Sequence, residues 1–375
     1  MSKNKINLIF FLPSFIKGGA AFSIYKLCKN LNQNQYKIHI LCLGKCEIKN
    51  ELQKYVETIT ELDIKRVYKT YFLLNNFIRK IYDKNKYKTI FVSNHHYANV
   101  ISAISVKKTD KIKLILTERT SLEQLKISYN FFDFFKKKII LFLVKFYYKK
   151  ADLIIANSKR EAKDISILCK CKCKHIYPPS FKNKINFLSK KKIKKKVWNI
   201  LTVGSLTKEK GLDTIIKSLN LLKNYEFKFD ILGKGYDKSQ NKKKNLEALI
   251  DEYQLNKKVF IRGYKNNLSK YYKKADLYIN ASHIEGFSTS IIDAINFNLG
   301  VIASDCKGGN REILLNGKGG DLFKINDYHG LSNKIKKFFE KPNLLIKKNS
   351  NAKKNISNFS ELNNLKEYEK IFKKI

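Results

Sequence analysis

The sequence predicts an α/β protein made of two doubly wound parallel-sheet domains. Three observations carry that expectation. Short apolar runs alternate with longer amphipathic stretches; the alternation stops in a lysine- and asparagine-rich stretch near the middle; it then restarts as a second series of similar size. Strands alternating with helical patterns imply β-α-β units and parallel pairing. At 375 residues the chain has room for two cores, and a hydrophobic fraction of 43% fits a folded protein rather than a disordered one.

In order along the chain, strand-like runs fall at 6–12, 38–43, 89–93, 113–116 and 153–156, with helical periodicity at 20–31 and 98–106. Pro178-Pro179 leads into 181–196, where lysine and asparagine dominate and a linker is expected. Strand-like runs resume at 199–203, 227–232, 258–262, 277–280 and 301–304. The implied organisation is a first domain over 1–180, a linker over 181–198, a second domain over 199–355, and a C-terminal helix over 356–375 that is a candidate to pack back on the first domain. The lysine-rich tail from Lys341 is expected to be mostly helical surface. Doubly wound sheets bind ligands at the carboxyl ends of their strands, so two such domains facing across a cleft share one site.

The formal charge is +44, from 76 Lys+Arg against 32 Asp+Glu. Abundant lysine, isoleucine, asparagine, tyrosine and phenylalanine are what AT-rich codons produce; attraction to a polyanion is the functional alternative. Helix-turn-helix spacing, zinc-finger spacing and RNA-recognition aromatic motifs are missing, which argues against nucleic acid as partner. The N-terminus lacks a signal-like pattern, the apolar run at 139–144 is far too short to span a bilayer, and seven scattered cysteines suit a reducing compartment. A cytoplasmic protein is expected, peripheral at the inner face of the cytoplasmic membrane.

The most telling stretch is Glu285-Gly286-Phe287-Ser288, with Asp293 eight residues after Glu285. A carboxylate on a Gly-bearing turn leads into Thr289-Ser290-Ile291, read as a helix start whose hydroxyls accept backbone N–H groups. Such a terminus favours phosphate, and two carboxylates accept hydrogen bonds from sugar hydroxyls. Gly204-Ser205 through Lys210-Gly211 follows the first strand of the second half, where Lys210 is placed to neutralise a departing diphosphate or is one more solvated lysine. Gly233-Lys234-Gly235 and the loop 305–312 are weaker phosphate-loop cues. In the first half, Gly18-Gly19 opens a helix after the first strand, His95-His96 ends the third, and Glu118-Arg119 ends the fourth, reading either as a site or as a surface ion pair. Cys169, Cys171 and Cys173 alternate with lysines and read as a strand rather than a metal site. Residues 131–150 form a basic, aromatic, amphipathic helix, suited to an anionic membrane or to covering the sheet with snorkelling lysines.

Taken together, these pieces resemble the retaining GT-B glycosyltransferases of family 4. The likeness covers nearly the whole chain and is strongest over 199–323. It rests on Val203-Gly204-Ser205 with Lys210-Gly211-Leu212-Asp213, on Asp230-Ile231-Leu232-Gly233-Lys234-Gly235, and on Ala275-Asp276-Leu277-Tyr278 through Glu285-Gly286-Phe287. Gly18-Gly19-Ala20 and Ala151-Asp152-Leu153-Ile154 are similar to the matching first-domain pieces.

The resemblance implies a nucleotide-sugar donor on the second domain and a lipid-linked or glycan acceptor on the first. It also implies retention of configuration, and neither a cofactor nor a required metal. It assigns Glu285 to donor sugar hydroxyls, Gly286, Phe287 and Ser288 to sugar and diphosphate, Asp293 to the ribose, and Lys210 to the phosphates, with Gly204, Ser205, Gly233 and Gly235 lining the donor site. Arg119 joins Glu285 and Lys210 as a candidate catalytic residue; Gly18, Gly19, His96 and Glu118 form an acceptor or phosphate loop. Ser205 stands where the family usually has arginine, Asp293 where it usually has glutamate, and Arg119 where many members have histidine. Thr117-Glu118-Arg119-Thr120 looks like a variant found in enzymes that build surface polysaccharides on lipid carriers. This points to a hexose or N-acetylhexosamine donor, with an anionic membrane surface as a candidate partner. The rival readings are a sugar-nucleotide epimerase of the same architecture, a basic nucleic-acid-binding protein, and a catalytically degenerate homologue.

Overall fold

A computed structural model describes residues 5–128, 130–182, 197–235 and 240–375. Most of the expected linker, 183–196, lies outside the described residues. The chain divides into two compact units, Met1–Lys182 with Phe359–Ile375, and Asn183–Asn358.

The first unit is built on a parallel sheet of β1 (Ile6–Phe11), β2 (Tyr36–Cys42), β3 (Thr58–Glu61), β4 (Lys88–Asn94), β5 (Ile112–Glu118), β6 (Leu153–Ala156) and β7 (Cys173–His175). Its spatial order is β3-β2-β1-β4-β5-β6-β7. The connecting helices are α1 (Gly19–Asn30), α2 (Lys49–Leu52), α3 (Leu73–Asn85), α4 (His96–Ser105), α5 (Phe131–Tyr147) and α6 (Lys159–Cys169). β1 shows why the strands are apolar on both sides. Leu8 and Phe10 enter one core with Ile24 and Leu27 of α1, while Ile9 and Phe11 enter the other with Val100 of α4 and Val144 of α5. Helices cover both faces of a parallel sheet, so alternate residues find separate cores. The one polar residue buried within that run, Asn7, donates to Thr89 Oγ1 at 3.1 Å.

The second unit repeats the plan. Its strands are β8 (Trp198–Val203), β9 (Phe227–Leu232), β10 (Val259–Gly263), β11 (Leu277–Asn280), β12 (Gly300–Ser304) and β13 (Asp321–Phe323), ordered β10-β9-β8-β11-β12-β13. The helices are α7 (Leu212–Asn220), α8 (Gln240–Glu252), α9 (Ser269–Lys274), α10 (Thr289–Asn296), α11 (Asn310–Ile313), α12 (Tyr328–Glu340) and α13 (Pro342–Lys354). The closing helix, α14 (Glu361–Lys374), belongs to the first unit, where Tyr368, Ile371 and Phe372 join the α1 side of the core.

One expectation needs correction. Cys169, Cys171 and Cys173 do not share a strand: α6 runs through Cys169, Lys170 turns the chain with φ +50°, and β7 begins at Cys173. The period-2 spacing of the cysteines straddles a helix end. The tail beyond Lys341 is helical and mostly at the surface, as expected, with one buried face that includes Leu345, Ala352, Tyr368 and Phe372. The edge strands β3 and β13, four and three residues long, escaped the sequence reading because so short a run carries no alternation.

Both sheets reverse strand order beside their first strand, at β1/β4 and at β8/β11. In each sheet taken by itself, the loops leaving the carboxyl ends of this strand pair frame a crevice of the kind where open α/β sheets take ligands.

Candidate active site

In the second unit, the loop after β8 carries Lys210 and the loop after β11 carries Glu285, one on each side of the β8/β11 reversal. Lys210 Nζ donates to Glu285 Oε1 at 2.6 Å. The same oxygen accepts from Ser282 Oγ at 2.7 Å and from Asn280 Nδ2 at 3.4 Å. The side chains are 26% and 11% exposed, so the pair is sheltered yet still reachable. Burial by itself pushes the Glu285 carboxyl up. The Lys210 charge and hydrogen bond, with the donors on Ser282 and Asn280, outweigh burial and hold the group below the usual carboxylate range. The site therefore presents an ionised carboxylate and an ammonium group side by side.

The backbone around the pair is fixed by close approaches that only glycine permits. A Cβ at Gly308, whose φ is +123°, would fall on the carbonyl oxygen of Glu285; one at Gly233 would fall on that of Gly204. Gly204 in turn lies against the Lys210 stem. Glu285 N donates to Lys307 O at 3.3 Å, and Gly309 N to Gly286 O at 3.2 Å, tying the 305–312 loop to the carboxylate turn. The Phe287 ring covers Gly309. Ser205 Oγ meets Thr207 Oγ1 at 3.3 Å. Gly235 closes the described part of the loop after β9; residues 236–239 lie outside it.

The helix start at α10 differs from expectation. Ser288, at the N-cap, makes no side-chain cap. Its hydroxyl instead accepts from Asn280 Nδ2 at 3.3 Å and meets Ser290 Oγ at 3.2 Å, and Tyr278 donates to Ser290 at 2.7 Å. These hydroxyls are drawn into the network that holds Glu285. Asp293, further along α10, opens instead on a pocket of about 300 Å³ formed with Asn266, Asn267, Leu268, Ser269, Tyr272 and Phe297. Sequence reading missed Asn280 and Ser282, and placed Asn310, which donates to Asn280 Oδ1 at 3.2 Å, only within the 305–312 loop. The available signal was their place at the carboxyl ends of β11 and β12 or in the loops just beyond.

In the first unit, Glu118 and Arg119 are both buried and do not form a surface ion pair. Glu118 accepts from Tyr148 Oη and from Asn99 Nδ2 at 2.9 Å, with His96 Nδ1 3.9 Å from its other oxygen. Burial pushes its carboxyl up to about 8, against the lowering effect of Tyr148 and Asn99. Burial also lowers His95 to about 4 and His96 well below the usual histidine range, so both rings are neutral. Arg119 sits apart from this cluster. It donates from Nε to Asn94 Oδ1 at 3.0 Å and from Nη1 to Ser23 Oγ of α1 at 3.1 Å. Among the described residues no carboxylate pairs with it. Gly18 and Gly19 open α1 with no side-chain cap and no acid in the first turn. Nothing within 4 Å crowds a Cβ built at Gly19. No group of three or more potential metal ligands occurs among the described residues.

Two parallel-sheet units, each reversing strand order beside its first strand, have the fold of the GT-B class. Residues 17–179 match Glycosyltransferase Family 4, and residues 183–358 match Glycosyl transferases group 1. The chain is 31% identical over 255 residues to the N-acetylgalactosamine-N,N'-diacetylbacillosaminyl-diphospho-undecaprenol 4-alpha-N-acetylgalactosaminyltransferase of Campylobacter jejuni. That match spans 67% of this chain and 66% of that enzyme. An uncharacterized glycosyltransferase of Methanocaldococcus jannaschii is 29% identical over an alignment of 408 positions, gaps included, that covers 99% of each chain. The solved structure of Anabaena HepE in complex with UDP and glucose shares the fold with a TM-score of 0.80 at 17% identity, over 98% of this chain and 100% of that one. The chain belongs to family 4 of the GT-B glycosyltransferases.

Proposed function

We propose that this chain transfers a hexose or N-acetylhexosamine from a nucleoside-diphosphate sugar to a lipid-linked glycan, with retention of anomeric configuration, no required metal, and the reaction set at the cytoplasmic membrane face. The observation that carries the reading is the Lys210–Glu285 pair at the β8/β11 reversal. Glu285, kept ionised, accepts hydroxyls of the donor sugar. Lys210 exchanges its bond to Glu285 for the donor diphosphate and stabilises the charge that grows as the phosphate leaves. The bond between anomeric carbon and phosphate oxygen breaks, the acceptor oxygen bonds that carbon on the same face, and its proton passes to the departing phosphate. The turn Gly286-Phe287-Ser288 flanks sugar and diphosphate, and Asp293 with its pocket takes the ribose. The lipid-linked acceptor is supported by the C. jejuni relative, whose name specifies a diphospho-undecaprenol substrate.

The test is a thermal-shift titration with UDP-, GDP- and ADP-sugars, followed by product analysis with and without acceptor. Ligand at 100 times Kd stabilises a protein by about 2.7 kcal/mol, so one nucleotide series raises Tm measurably. Failure of all three series at millimolar concentration overturns the donor assignment. Sugar conversion without any acceptor favours an epimerase.

A further inference from the structure

α5 is apolar on two opposite sides, and only one of them faces the protein. Val144 and, just beyond the helix, Tyr148 pack into the core of the first unit. Phe131, Phe135, Ile139, Phe142 and Phe146 recur every three or four residues, so they form a stripe along one side of the helix. That stripe points outward, with Phe131 70%, Ile139 58% and Phe142 61% exposed. Its rings touch one another, Phe131 with Phe135 and Phe142 with Phe146 at 4.6 Å between centroids. A covering helix needs one apolar face; a second, outward one has no role in folding.

A second apolar patch lies on the same side of the sheet. α4 packs against both α5 and the 3-10 turn Val67–Thr70, and the segment entering α3 exposes Tyr68 at 56% and Phe72 at 79%. Lysines border the stripe: the ammonium groups of Lys138 and Lys145 lie 5.3 and 5.7 Å from the Phe134 and Phe146 rings. Lys136, Lys149 and Lys150 are exposed on the same stretch. The only acid of α5, Asp133, pairs with Lys137 at 2.8 Å. No helix among the described residues is long and apolar enough to cross a membrane.

We infer that the outer face of α5, together with the 68–73 segment, is a docking surface for an anionic phospholipid bilayer. The aromatic stripe enters the boundary between headgroups and acyl chains while the lysines meet anionic headgroups. Charge complementarity selects this occupant over a second copy of the chain, because joining two such faces would bring two lysine borders together. The proposal locates the membrane contact of the proposed function on named residues. Its test uses neither donor nor acceptor, so it stands or fails separately from that reading.

The test is flotation of the full chain with vesicles of phosphatidylcholine alone or with phosphatidylglycerol, at physiological and high salt. The wild type binds the anionic vesicles and not the neutral ones. Phe135→Ser with Phe142→Ser lowers partitioning by roughly 10-fold or more, since apolar burial supplies much of the free energy. Thermal melts check its fold, and Phe132→Ser, at an 84% exposed position, is the milder second variant. Lys138→Gln with Lys145→Gln weakens binding only to anionic vesicles. The proposal is overturned if the phenylalanine variants bind as the wild type does, since diffuse charge then explains the attraction. It is also overturned if light scattering shows a dimer that the same variants dissociate while vesicles bind neither form.

Discussion

The two sheets use the same topological feature in opposite electrostatic ways. At the reversal of the second sheet, the charged groups answer each other: Lys210 and Glu285 are paired, and Ser282, Asn280 and Asn310 hold the carboxylate in place. At the reversal of the first sheet the charges are left unanswered. Glu118 is buried, and burial pushes its carboxyl up towards the neutral form, while the buried Arg119 guanidinium donates only to the neutral oxygens of Asn94 and Ser23 among the described residues. A buried pair is costly to break, whereas a buried lone cation is costly to keep. The second unit thus satisfies its charges internally, and under the proposed function it exchanges them for a ligand; the first leaves a buried cation without a carboxylate partner among the described residues.

The largest effects are expected where the pair is broken. Lys210→Ala and Glu285→Gln should each lower turnover by roughly 100- to 1,000-fold, the usual effect of removing one group that stabilises developing charge. Steady-state kinetics with the donor found by titration checks this, with melts to show that fold is retained. Because the two side chains share one hydrogen bond, the double variant should fall little further than either single one. Parental activity in purified Lys210→Ala ends the proposed role for that residue.

The contrast also explains what the sequence made legible. The doubly wound fold could be read because each buried strand is a short apolar run and each helix a longer periodic one. Glu285 stood out as a carboxylate on a Gly-bearing turn leading into a helix start, whereas Lys210 by itself reads as one more solvated lysine and gained a role from the family resemblance. What stayed hidden was set by distant partners. Tyr148 lies 30 residues from Glu118, and Ser23 lies 96 from Arg119. Nothing local signals that Glu118-Arg119 is buried, since an exposed ion pair has the same two letters. The outward stripe of α5 was legible as amphipathicity, but which side faces the core depends on the sheet. The lost cap at Ser288 also depends on a tertiary partner: Asn280, at the end of β11, donates to the Ser288 hydroxyl in place of a local cap.

A smaller effect, opposite in its stability arm, is expected at Arg119. Arg119→Gln keeps hydrogen-bonding capacity and removes the unanswered charge. Turnover should fall by roughly 10-fold while Tm stays level or rises, the trade expected of a residue kept for function at some cost to folding. Loss of activity together with a lower Tm would mark Arg119 as an internal strut and remove the contrast between the two sheets.

The smallest and most specific effect belongs to Glu118. Its folded-state value near 8 lies above the ordinary carboxylate value of 4.5. Between those two values the unfolded chain has released the proton while the folded chain retains it. Stability therefore falls as pH rises through this window, and the loss levels off above about 8. Glutamine has no proton to lose, and its side-chain oxygen still accepts from Tyr148 and Asn99. Buried His95 and His96 also titrate with unfolding, but they favour the folded state as pH rises and are present in both proteins. Subtracting the wild-type melting curve from that of Glu118→Gln cancels them. The difference in Tm should grow in favour of the variant from pH 5 to 8. A flat difference means that Glu118 is ionised when folded, and the first sheet would then hold a carboxylate next to Arg119 in the chain, making its charge arrangement much closer to that of the second.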